Sequence, residues 1–394
     1  MTQTDIDPHI MLAALREAGP VHEIPFPPTE TGTAWLITRY AEARRALNDP
    51  RLAKGPLQDS PLQAANPLPP ETLRAISRHM LDADPPDHTR LRRLVSAAFT
   101  ARRIEGLRPR IRAISDELIG ALAGRDRADL IDDFAFPLPF QVICELIGVP
   151  QVDRTSFRAW SNVIVAGDAA PGEEESHAIT SMVAYVRELV ERRRAEPDDA
   201  LMSGLIRASD AGDRLDRDEL TSLVFLLLIA GHETTVNLIG NAMYLLLGRP
   251  EQAAALRADP ALIPGAVDEF LRYESPVKVS TLRIATDPVT IAGTTIPAGA
   301  VVMISLMAAN RDDSVFPEAD ELQPTRADAQ QHLAFGHGVH YCLGAPLAKL
   351  EGEIAIGALL AHFPGMRAAL PLSELEWRPG MLLRGLRHLP VHLR

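Results

Sequence analysis

The sequence predicts a mainly α-helical protein with small β-sheets, an α+β fold in which the sheets are the minor part. Apolar residues recur at helical spacing through most of the chain, whereas strand-like alternation is confined to short segments beside glycine and proline turns. The 32 proline residues concentrate in long connections between these segments. Such connections are typical of a helical enzyme with extended functional loops.

The composition is that of a globular protein with a substantial core. Of the 394 residues, 46% are hydrophobic and 23% are charged. The formal net charge of −12 argues against general binding to nucleic acid or to an anionic membrane. No basic segment precedes an apolar run at the N-terminus, and two cysteines can form at most one disulfide. We therefore expect a cytoplasmic protein with no nucleic-acid or membrane partner.

The first part of the chain alternates short elements with long connections. Helices are predicted at 9–18, 41–47 and 71–79, and a strand pair at 21–26 and 33–38. Residues 49–87 are otherwise rich in proline and poor in periodic segments. A long loop inside an enzyme is often a wall of the substrate pocket, although a passive connector fits this sequence equally well.

A basic helix begins after Pro85 and Pro86. His88 and Arg92 are four residues apart, so they lie on one face of this helix. Two such side chains can clamp a carboxylate, although a solvated basic helix start is the simpler interpretation of this segment alone.

Four further helices are predicted at 103–123, 137–147, 151–165 and 173–195. Cys144 lies on the apolar side of the second of these and is interpreted as a core thiol. The connector 166–172 is a plausible hinge between the last two helices.

A long central helix is predicted from a capping box at Asp216 and Glu219 to Gly248, about 32 residues or roughly 48 Å. Its middle is apolar all round, which indicates a helix through a core. The polar stretch AGHETT, residues 230–235, interrupts this apolar helix. A carboxylate and two hydroxyls in such a place need partners or a function. His232 is interpreted as a packing or surface residue rather than a ligand.

The loop Phe335–Gly344, with the sequence FGHGVHYCLG, is the most distinctive stretch of the chain. Cys342 precedes a helical pattern whose first turn contains Pro346. Unpaired backbone N–H groups and the positive end of the helix dipole favour a thiolate there. A thiolate on a glycine-rich loop suits an axial ligand of iron, and Gly344 would let the backbone approach a flat macrocycle. A small buried cysteine is the alternative interpretation of Cys342 alone.

The region before this loop combines a helix with extended segments. Glu269 and Arg272 are three residues apart and are expected to form an intrahelical ion pair. Residues 275–281 are predicted to run as a strand toward Arg283. Within it, Lys278 either meets an acidic or polar substrate group or faces solvent. A hairpin at 289–296 and a strand at 300–304 follow.

The loop 335–344 matches, position for position, the haem-binding loop of the cytochrome P450 family. Four other segments resemble elements of that family in the same order along the chain: 88–92, 230–235, 269–272 and residue 283. The chain is most similar in pattern to soluble actinobacterial hydroxylases that tailor polyketides and macrolides. The resemblance implies a cytochrome P450 fold, one catalytic domain over 1–394, no fused reductase, and a haem between the central helix and the helix after the cysteine loop.

The resemblance also implies roles for individual residues. Cys342 becomes the axial ligand of the iron, and Glu233 and Thr234 become the acid–alcohol pair that supplies protons during dioxygen activation. Glu269 and Arg272 become a structural brace. Nine residues are expected to bind the cofactor: His88, Arg92, Ala230, Gly231, Arg283, Phe335, His340, Cys342 and Gly344. Of these, the two histidines and two arginines outside the iron ligand, His88, Arg92, Arg283 and His340, would hold the propionates. The substrate-pocket candidates are Met80, Leu81, Val277 and Lys278.

By this resemblance the protein is a haem-thiolate monooxygenase with haem b (iron protoporphyrin IX). It would insert one oxygen atom of O2 into a C–H bond of a lipophilic small molecule, by hydroxylation or epoxidation, with a polyketide or macrolide as the substrate. Electrons would come from a ferredoxin and an NAD(P)H-dependent ferredoxin reductase, with Arg90, Arg93 and Lys349 as a candidate docking face. The alternatives are a steroid- or terpenoid-like substrate, a peroxide-using or oxidative-coupling enzyme of the same fold, and a non-enzymatic haem gas sensor. The stretches 50–84, 151–180 and 275–281 are expected to decide the substrate.

Overall fold

The computed structural model describes residues 7–27, 29, 31–58, 60, 63, 66–96, 99–166, 172–198, 200–210 and 215–394. Residues 1–6, most of the expected hinge at 166–172 and parts of the stretch 50–84 therefore lie outside the described residues. The chain divides into two compact units. The first comprises Met1–Ala65, Pro250–Ala345 and Met381–Arg384, and the second comprises Asn66–Arg249, Pro346–Gly380 and Gly385–Arg394. The single catalytic domain expected from the sequence stays a prediction.

Helices dominate the described chain, as predicted. They are α1 (Pro8–Ala18), α2 (Tyr40–Asn48), α3 (Pro70–Ser77), α4 (Asp87–Ser96), α5 (Ala101–Glu105), α6 (Arg108–Leu122), α7 (Pro137–Ile147), α8 (Arg154–Ala166), α9 (Glu173–Ala195), α10 (Leu201–Asp210), α11 (Arg217–Ala230), α12 (Glu233–Leu247), α13 (Pro250–Ala258), α14 (Ile263–Tyr273), α15 (Leu306–Ala309) and α16 (Ala345–His362).

The strands are short. They are β1 (Val21–Pro25), β2 (Thr33–Ile37), β3 (Leu52–Ala53), β4 (Arg127–Asp129), β5 (Arg283–Ala285), β6 (Val289–Ile291), β7 (Thr294–Ile296), β8 (Val301–Ile304), β9 (Arg367–Ala368) and β10 (Pro390–His392). The hairpin predicted at 289–296 is confirmed as β6 and β7.

The first unit is built on a five-stranded sheet in the order β1-β2-β8-β5-β3. β2 and β8 run parallel, with Leu36 beside Met303 and Ile37 beside Ile304. Because side chains alternate along a strand, Ile37 and Ile304 enter one hydrophobic cluster while Leu36 and Met303 enter another. The sheet is therefore buried on both faces, which explains why all four residues of β8 are buried.

A buried ion pair cross-links part of the first unit. The predicted pair of Glu269 and Arg272 is present, with Nε 2.7 Å from Oε2 and Nη2 2.8 Å from Oε1, and both side chains are fully buried. Arg272 Nη1 also donates to the carbonyl oxygens of Asn310, at 2.9 Å, and Ala319, at 2.8 Å. The pair thus ties α14 to the irregular segment that precedes the cysteine loop.

In the second unit the central helix begins as predicted but is not continuous. Asp216 accepts a hydrogen bond from the Glu219 N–H and Glu219 reaches back to Asp216, which confirms the capping box. α11 then ends at Ala230, and α12 starts at Glu233. The prediction of one uninterrupted helix is wrong at Gly231 and His232, where a residue without a side chain and a back-bonding threonine loosen the helix.

The stretch Arg217–Leu247, with a mean hydropathy of 1.6 in its most apolar window, is long and apolar enough to cross a membrane. However, 72% of that window is buried inside the protein. A buried apolar helix of this kind is the expected core of a globular unit.

Two other sequence predictions need correction, and one helix was not predicted. The helix predicted at 103–123 is two helices, because the chain breaks at 106–107 between α5 and α6. Residues 275–281 do not form a strand, since only Val277 and Val279 make isolated bridges, to Leu383 and Ser305. Alternate N–H groups of this segment reach different partners, so no continuous ladder develops. Helix α10 was not predicted from the sequence, because its ten residues include a glycine and two serines that weaken the helical signal.

Candidate active site

The cysteine loop of the first unit closes on itself. Gly336 and Gly338 have φ angles of 71° and 75°, a region that favours glycine. A Cβ at Gly338 would lie 2.1 Å from Asn48 Oδ1, so no other residue fits there. The Cys342 N–H donates to the Phe335 carbonyl oxygen at 2.9 Å. These contacts hold Cys342 three residues ahead of α16.

The Cys342 thiol fits an iron ligand by its chemistry and surroundings. It is half-buried at the start of α16, where the helix dipole favours a thiolate. The other thiol, Cys144, is fully buried in α7, and burial raises its pKa to about 12 although Arg154 acts in the opposite direction. The prediction that Cys144 is a core thiol is confirmed. The described residues therefore fit the haem iron that the resemblance implies, with Cys342 as the ligand.

Other predicted cofactor contacts lie in the same unit. His340 is half-buried in a short turn at Gly338–His340, two residues before Cys342. The ring of Phe335 is half-buried, 6.3 Å from that of Tyr341. Arg283 is buried on β5 and donates from Nη1 to the Leu52 carbonyl oxygen at 3.1 Å. The loop residues are thus brought together locally, whereas Arg283 is fixed to the sheet.

Lys278 is half-buried rather than solvent-facing. Burial, and then the positive charge of Arg384, lower the pKa of its ammonium group. Arg384 Nε itself donates to Glu274 Oε1 at 3.0 Å, and His9 Nε2 lies 3.1 Å from the same carboxyl. Although burial raises the pKa of Glu274, His9 and Arg384 hold it at about 2. Lys278 therefore stands beside a buried ionic cluster of the first unit.

In the second unit, His88 and Arg92 share one face of α4, as predicted. His88 is 3% exposed, and burial followed by the charge of Arg92 lowers the pKa of its imidazole. A neutral imidazole can still donate one N–H to an anion. Met80 is buried and Leu81 half-buried in the turn that precedes this helix.

The break between α11 and α12 exposes one side of an otherwise buried helix. Ala230 is exposed and Thr234 half-buried. The Thr234 hydroxyl donates to the Ala230 carbonyl oxygen at 3.0 Å. At Gly231 a Cβ would lie 2.4 Å from the Leu227 carbonyl oxygen and 2.8 Å from Ile143 Cδ1, so the protein itself fills the space that a side chain would need. A cofactor contact at Gly231 stays a prediction.

Glu233 is 3% exposed, and its Oε1 lies 2.5 Å from Nη1 of Arg378. Burial raises the pKa of this carboxyl, and the Arg378 charge opposes the rise. The neighbouring His232 is fully buried, within 2.8 Å of Ser161 Oγ and 2.7 Å of the Leu228 carbonyl oxygen. Burial lowers the pKa of His232 to about 4, so it is a neutral packing residue, as predicted.

Two residues near this turn were missed by the sequence analysis. Arg378 lies in an irregular C-terminal stretch without any motif, so no sequence signal pointed to it. Glu351 is an isolated carboxyl within the apolar pattern of α16, and that signal could have found it. Burial raises the pKa of Glu351 to about 8, and its neighbour Thr235 acts in the opposite direction.

One of the predicted docking residues, Arg90, forms an ion pair within the protein. Arg90 pairs with Glu219, with Nη1 3.3 Å from Oε2 and a second, closer contact from Nη2. This pairing lies within the second unit, and a docking role for Arg90 stays a prediction. Arg93 is exposed, and Lys349 is half-buried.

Comparison with known proteins identifies a family, two relatives that are similar in sequence and one similar solved structure. A family model described as Cytochrome P450 matches residues 170–366. A vitamin D(3) 25-hydroxylase of Pseudonocardia autotrophica is 48% identical over 388 residues, covering 98% of this chain and 93% of the relative. The polyketide biosynthesis cytochrome P450 PksS of Bacillus subtilis (strain 168) is 40% identical over 391 residues, covering 98% and 96%. The structure of the tirandamycin C-bound P450 monooxygenase TamI has a TM-score of 0.90 and 46% identity, over 98% of each chain.

Proposed function

The chain belongs to the cytochrome P450 family and is one of its monooxygenases, and we propose that it binds haem b through Cys342 and oxygenates a lipophilic secondary metabolite of the polyketide class. The family implies haem iron. The observation that carries the ligand assignment is the closed loop that presents a half-buried thiol at the start of α16.

When bound, the haem supplies the activation of O2 and the transfer of one oxygen atom to the substrate, while the second atom leaves as water after two electrons and two protons are delivered. The protein supplies the ligand, the proton path and the shaped, dry cavity. Cys342 is kept as a thiolate by the helix dipole and the backbone N–H groups around it.

Four side chains are proposed to hold the two propionates. Arg92 and Arg283 offer guanidinium donors, which suit carboxylates, and His88 and His340 each offer a ring N–H. The lowered pKa of His88 is compatible with this role, because a neutral imidazole donates without adding a second buried charge. Ala230, Gly231, Phe335 and Gly344 are proposed to lie against the face of the macrocycle.

Glu233 and Thr234 are proposed to deliver protons. Thr234 has a hydroxyl on the exposed side of the break in the central helix. Glu233 has a carboxyl whose raised pKa brings its titration nearer to neutral pH, as a proton donor requires.

The substrate class rests on relatives and on the pocket candidates Met80, Leu81, Val277 and Lys278. The relationship to PksS, a polyketide biosynthesis enzyme, supports a polyketide, and hydroxylation or epoxidation of it. A steroid-like substrate is the second candidate, because a vitamin D(3) 25-hydroxylase is 48% identical. We propose that electrons come from a ferredoxin and an NAD(P)H-dependent reductase in the cytoplasm, as the resemblance to the family implies.

The ligand assignment is tested by Cys342→Ser. We expect this variant to lose the absorption band of a thiolate-ligated, reduced CO complex, because serine does not provide the strongly donating sulfur ligand. An unchanged spectrum would overturn the assignment. Cys144→Ser is the matched control and should retain the band, since Cys144 is a buried core thiol.

The substrate class is tested by titrating the haem-loaded protein with polyketides, macrolides and steroids. Displacement of water from the pocket shifts the spin state of the iron, so the absorption spectrum reports binding without turnover. Tighter binding of steroids than of all polyketides would favour the second candidate. Conversion of a binding compound with NAD(P)H, ferredoxin and reductase then identifies the product.

A further inference from the structure

Arg378 lies on a pair of segments near the C-terminus, 376–380 and 385–387, here called the C-terminal pair. Its N–H donates to the Gly385 carbonyl oxygen at 2.8 Å, and the Arg387 N–H donates to the Glu376 carbonyl oxygen at 2.9 Å. Trp377 and Leu386 form a bridge between the two segments. The backbone of Arg378 is therefore fixed before its side chain reaches Glu233.

The C-terminal pair follows one face of α12. Arg378 meets Glu233, Gly385 meets Asn237, and Trp377 packs edge-on against Tyr244 with ring centroids 5.1 Å apart. The three helix positions are four and seven residues apart, so they lie on one face. A Cβ at Gly385 would lie 1.9 Å from Asn237 Oδ1. A side chain at Gly385 would displace the Asn237 amide, so the pair lies in close contact with the helix that carries Glu233.

The contact with Arg378 affects the ionisation of the buried Glu233 carboxyl. An unpartnered carboxylate at the 3% exposure of Glu233 would be costly and would remain protonated. The Arg378 side chain is 23% exposed, so it extends from the buried carboxyl toward solvent. A guanidinium keeps its own protons, and it therefore stabilises the carboxylate rather than supplying the proton.

We propose that Arg378 is a positioning residue that holds Glu233 on the solvent-reaching side of the helix break and lets it ionise, so that Glu233 can take up a proton from water after giving one to Thr234. This inference rests on the proposed function of Glu233 and Thr234. The C-terminal pair then belongs to the proton-delivery machinery. The Glu233 carboxyl gives its proton to the Thr234 hydroxyl oxygen as that hydroxyl releases its own proton toward the reacting oxygen, and a proton from bulk water on the Arg378 side then restores the carboxyl.

Other titratable groups of the second unit near this turn are directed elsewhere. His232 contacts Ser161 and the Leu228 carbonyl oxygen, and the neighbour that lowers the pKa of Glu351 against its burial is Thr235. The charge that opposes the burial of Glu233 is that of Arg378. Removal of Arg378 should therefore act directly on the titration of Glu233.

The first test is an infrared pH titration of the haem-loaded protein, which follows the C=O stretch of protonated carboxyls. Glu233→Gln identifies the band of Glu233. In Arg378→Met we expect its apparent pKa to rise by about 1–3 units, the usual effect of losing an adjacent opposite charge. Arg378→Lys should restore most of the shift. Arg387→Met is the matched control, since Arg387 faces Glu376 on the same pair and should leave the Glu233 band unchanged.

The second test measures how electrons are used. Arg378→Met should form less product per NAD(P)H consumed and release more peroxide, whereas turnover with added hydrogen peroxide should be retained because that route needs less proton delivery. Gly385→Ala is an independent variant that keeps Arg378 but brings a methyl group against the Asn237 side chain, and it should change the Glu233 titration in the same direction.

The outcomes separate this inference from the proposed function. An unchanged Glu233 titration in Arg378→Met, in a variant that still shows the thiolate spectrum, would overturn the role of Arg378 alone. Equal loss of the O2-driven and the peroxide-driven reactions would show general damage to the pocket and would also overturn it. If the wild-type protein itself lacked the thiolate spectrum, or consumed NAD(P)H without forming product, the proposed function would be contradicted instead.

Discussion

Thr234 occupies an unusual place for a hydroxyl in an apolar helix. Its hydroxyl donates to the Ala230 carbonyl oxygen, four residues earlier, which satisfies both groups where the helix ends. The adjacent Glu233 is buried, with Arg378 as its partner. The motif predicted that these residues are polar and close together. It did not predict that one is accessible and the other is held by a distant segment, because both facts depend on contacts remote in sequence.

At this residue scale, Thr234→Ala should uncouple electron use from product formation. Without the hydroxyl, protons reach the reacting oxygen less readily, and we expect product per NAD(P)H to fall by about tenfold or more, with peroxide release rising. Thr234→Ser keeps the hydroxyl and serves as the control. The measurement is product and peroxide per NAD(P)H with a substrate found by the spin-state screen. Retained coupling in Thr234→Ala would contradict the proton-relay role.

Two elements show how local signals and packing combine. The capping box at Asp216 was read correctly because a cap depends on residues three apart in the sequence. The break at Gly231 combines a local cause, the Thr234 hydroxyl that bonds back to the Ala230 carbonyl oxygen, with the close approach of Ile143 from α7. The Glu269–Arg272 pair could be predicted from spacing, but its complete burial and its bonds to the Asn310 and Ala319 carbonyl oxygens could not.

At the element scale, Arg272→Met should destabilise the protein strongly. It leaves the Glu269 carboxylate buried without its main partner and removes donors from two buried carbonyl oxygens, which costs about 3–5 kcal/mol. Arg45→Met is the matched control, because Arg45 and Glu42 are also three residues apart but the Arg45 side chain is 72% exposed. That change should cost less than about 1 kcal/mol. Urea unfolding of both variants measures the difference, and similar losses would contradict the importance of burial.

The whole molecule carries charges whose ionisation is linked to folding. Glu274 is buried at the meeting of α1, α14 and the segment around Arg384 in the first unit, and its pKa is held at about 2. An unfolded chain would have this carboxyl near its ordinary value of 4.5. Because the folded pKa is lower, Glu274 contributes stability that is fully present above pH 4.5 and is lost as the pH falls toward 2.

At the scale of the molecule, Glu274→Gln should therefore flatten the acid side of the stability profile. A shift of this size corresponds to about 3 kcal/mol. Urea unfolding free energies measured from pH 7 down to pH 3 should decline less steeply in Glu274→Gln than in the wild-type protein, although the variant starts less stable. Asp49→Asn is the control, because Asp49 pairs with an exposed arginine at the surface. Parallel profiles for Glu274→Gln and the wild type would contradict the linkage.

The sequence by itself determined the family, the iron-ligand candidate and most of the helices. These rest on short-range patterns: the ten-residue loop around Cys342, the four-residue spacing of His88 and Arg92, and apolar periodicity. Tertiary structure alone decided the partner of Glu233 and the burial of Glu351 and Glu274. Each of these depends on contacts between residues far apart in the chain, and pKa values follow from burial and neighbouring charge, which no local pattern encodes.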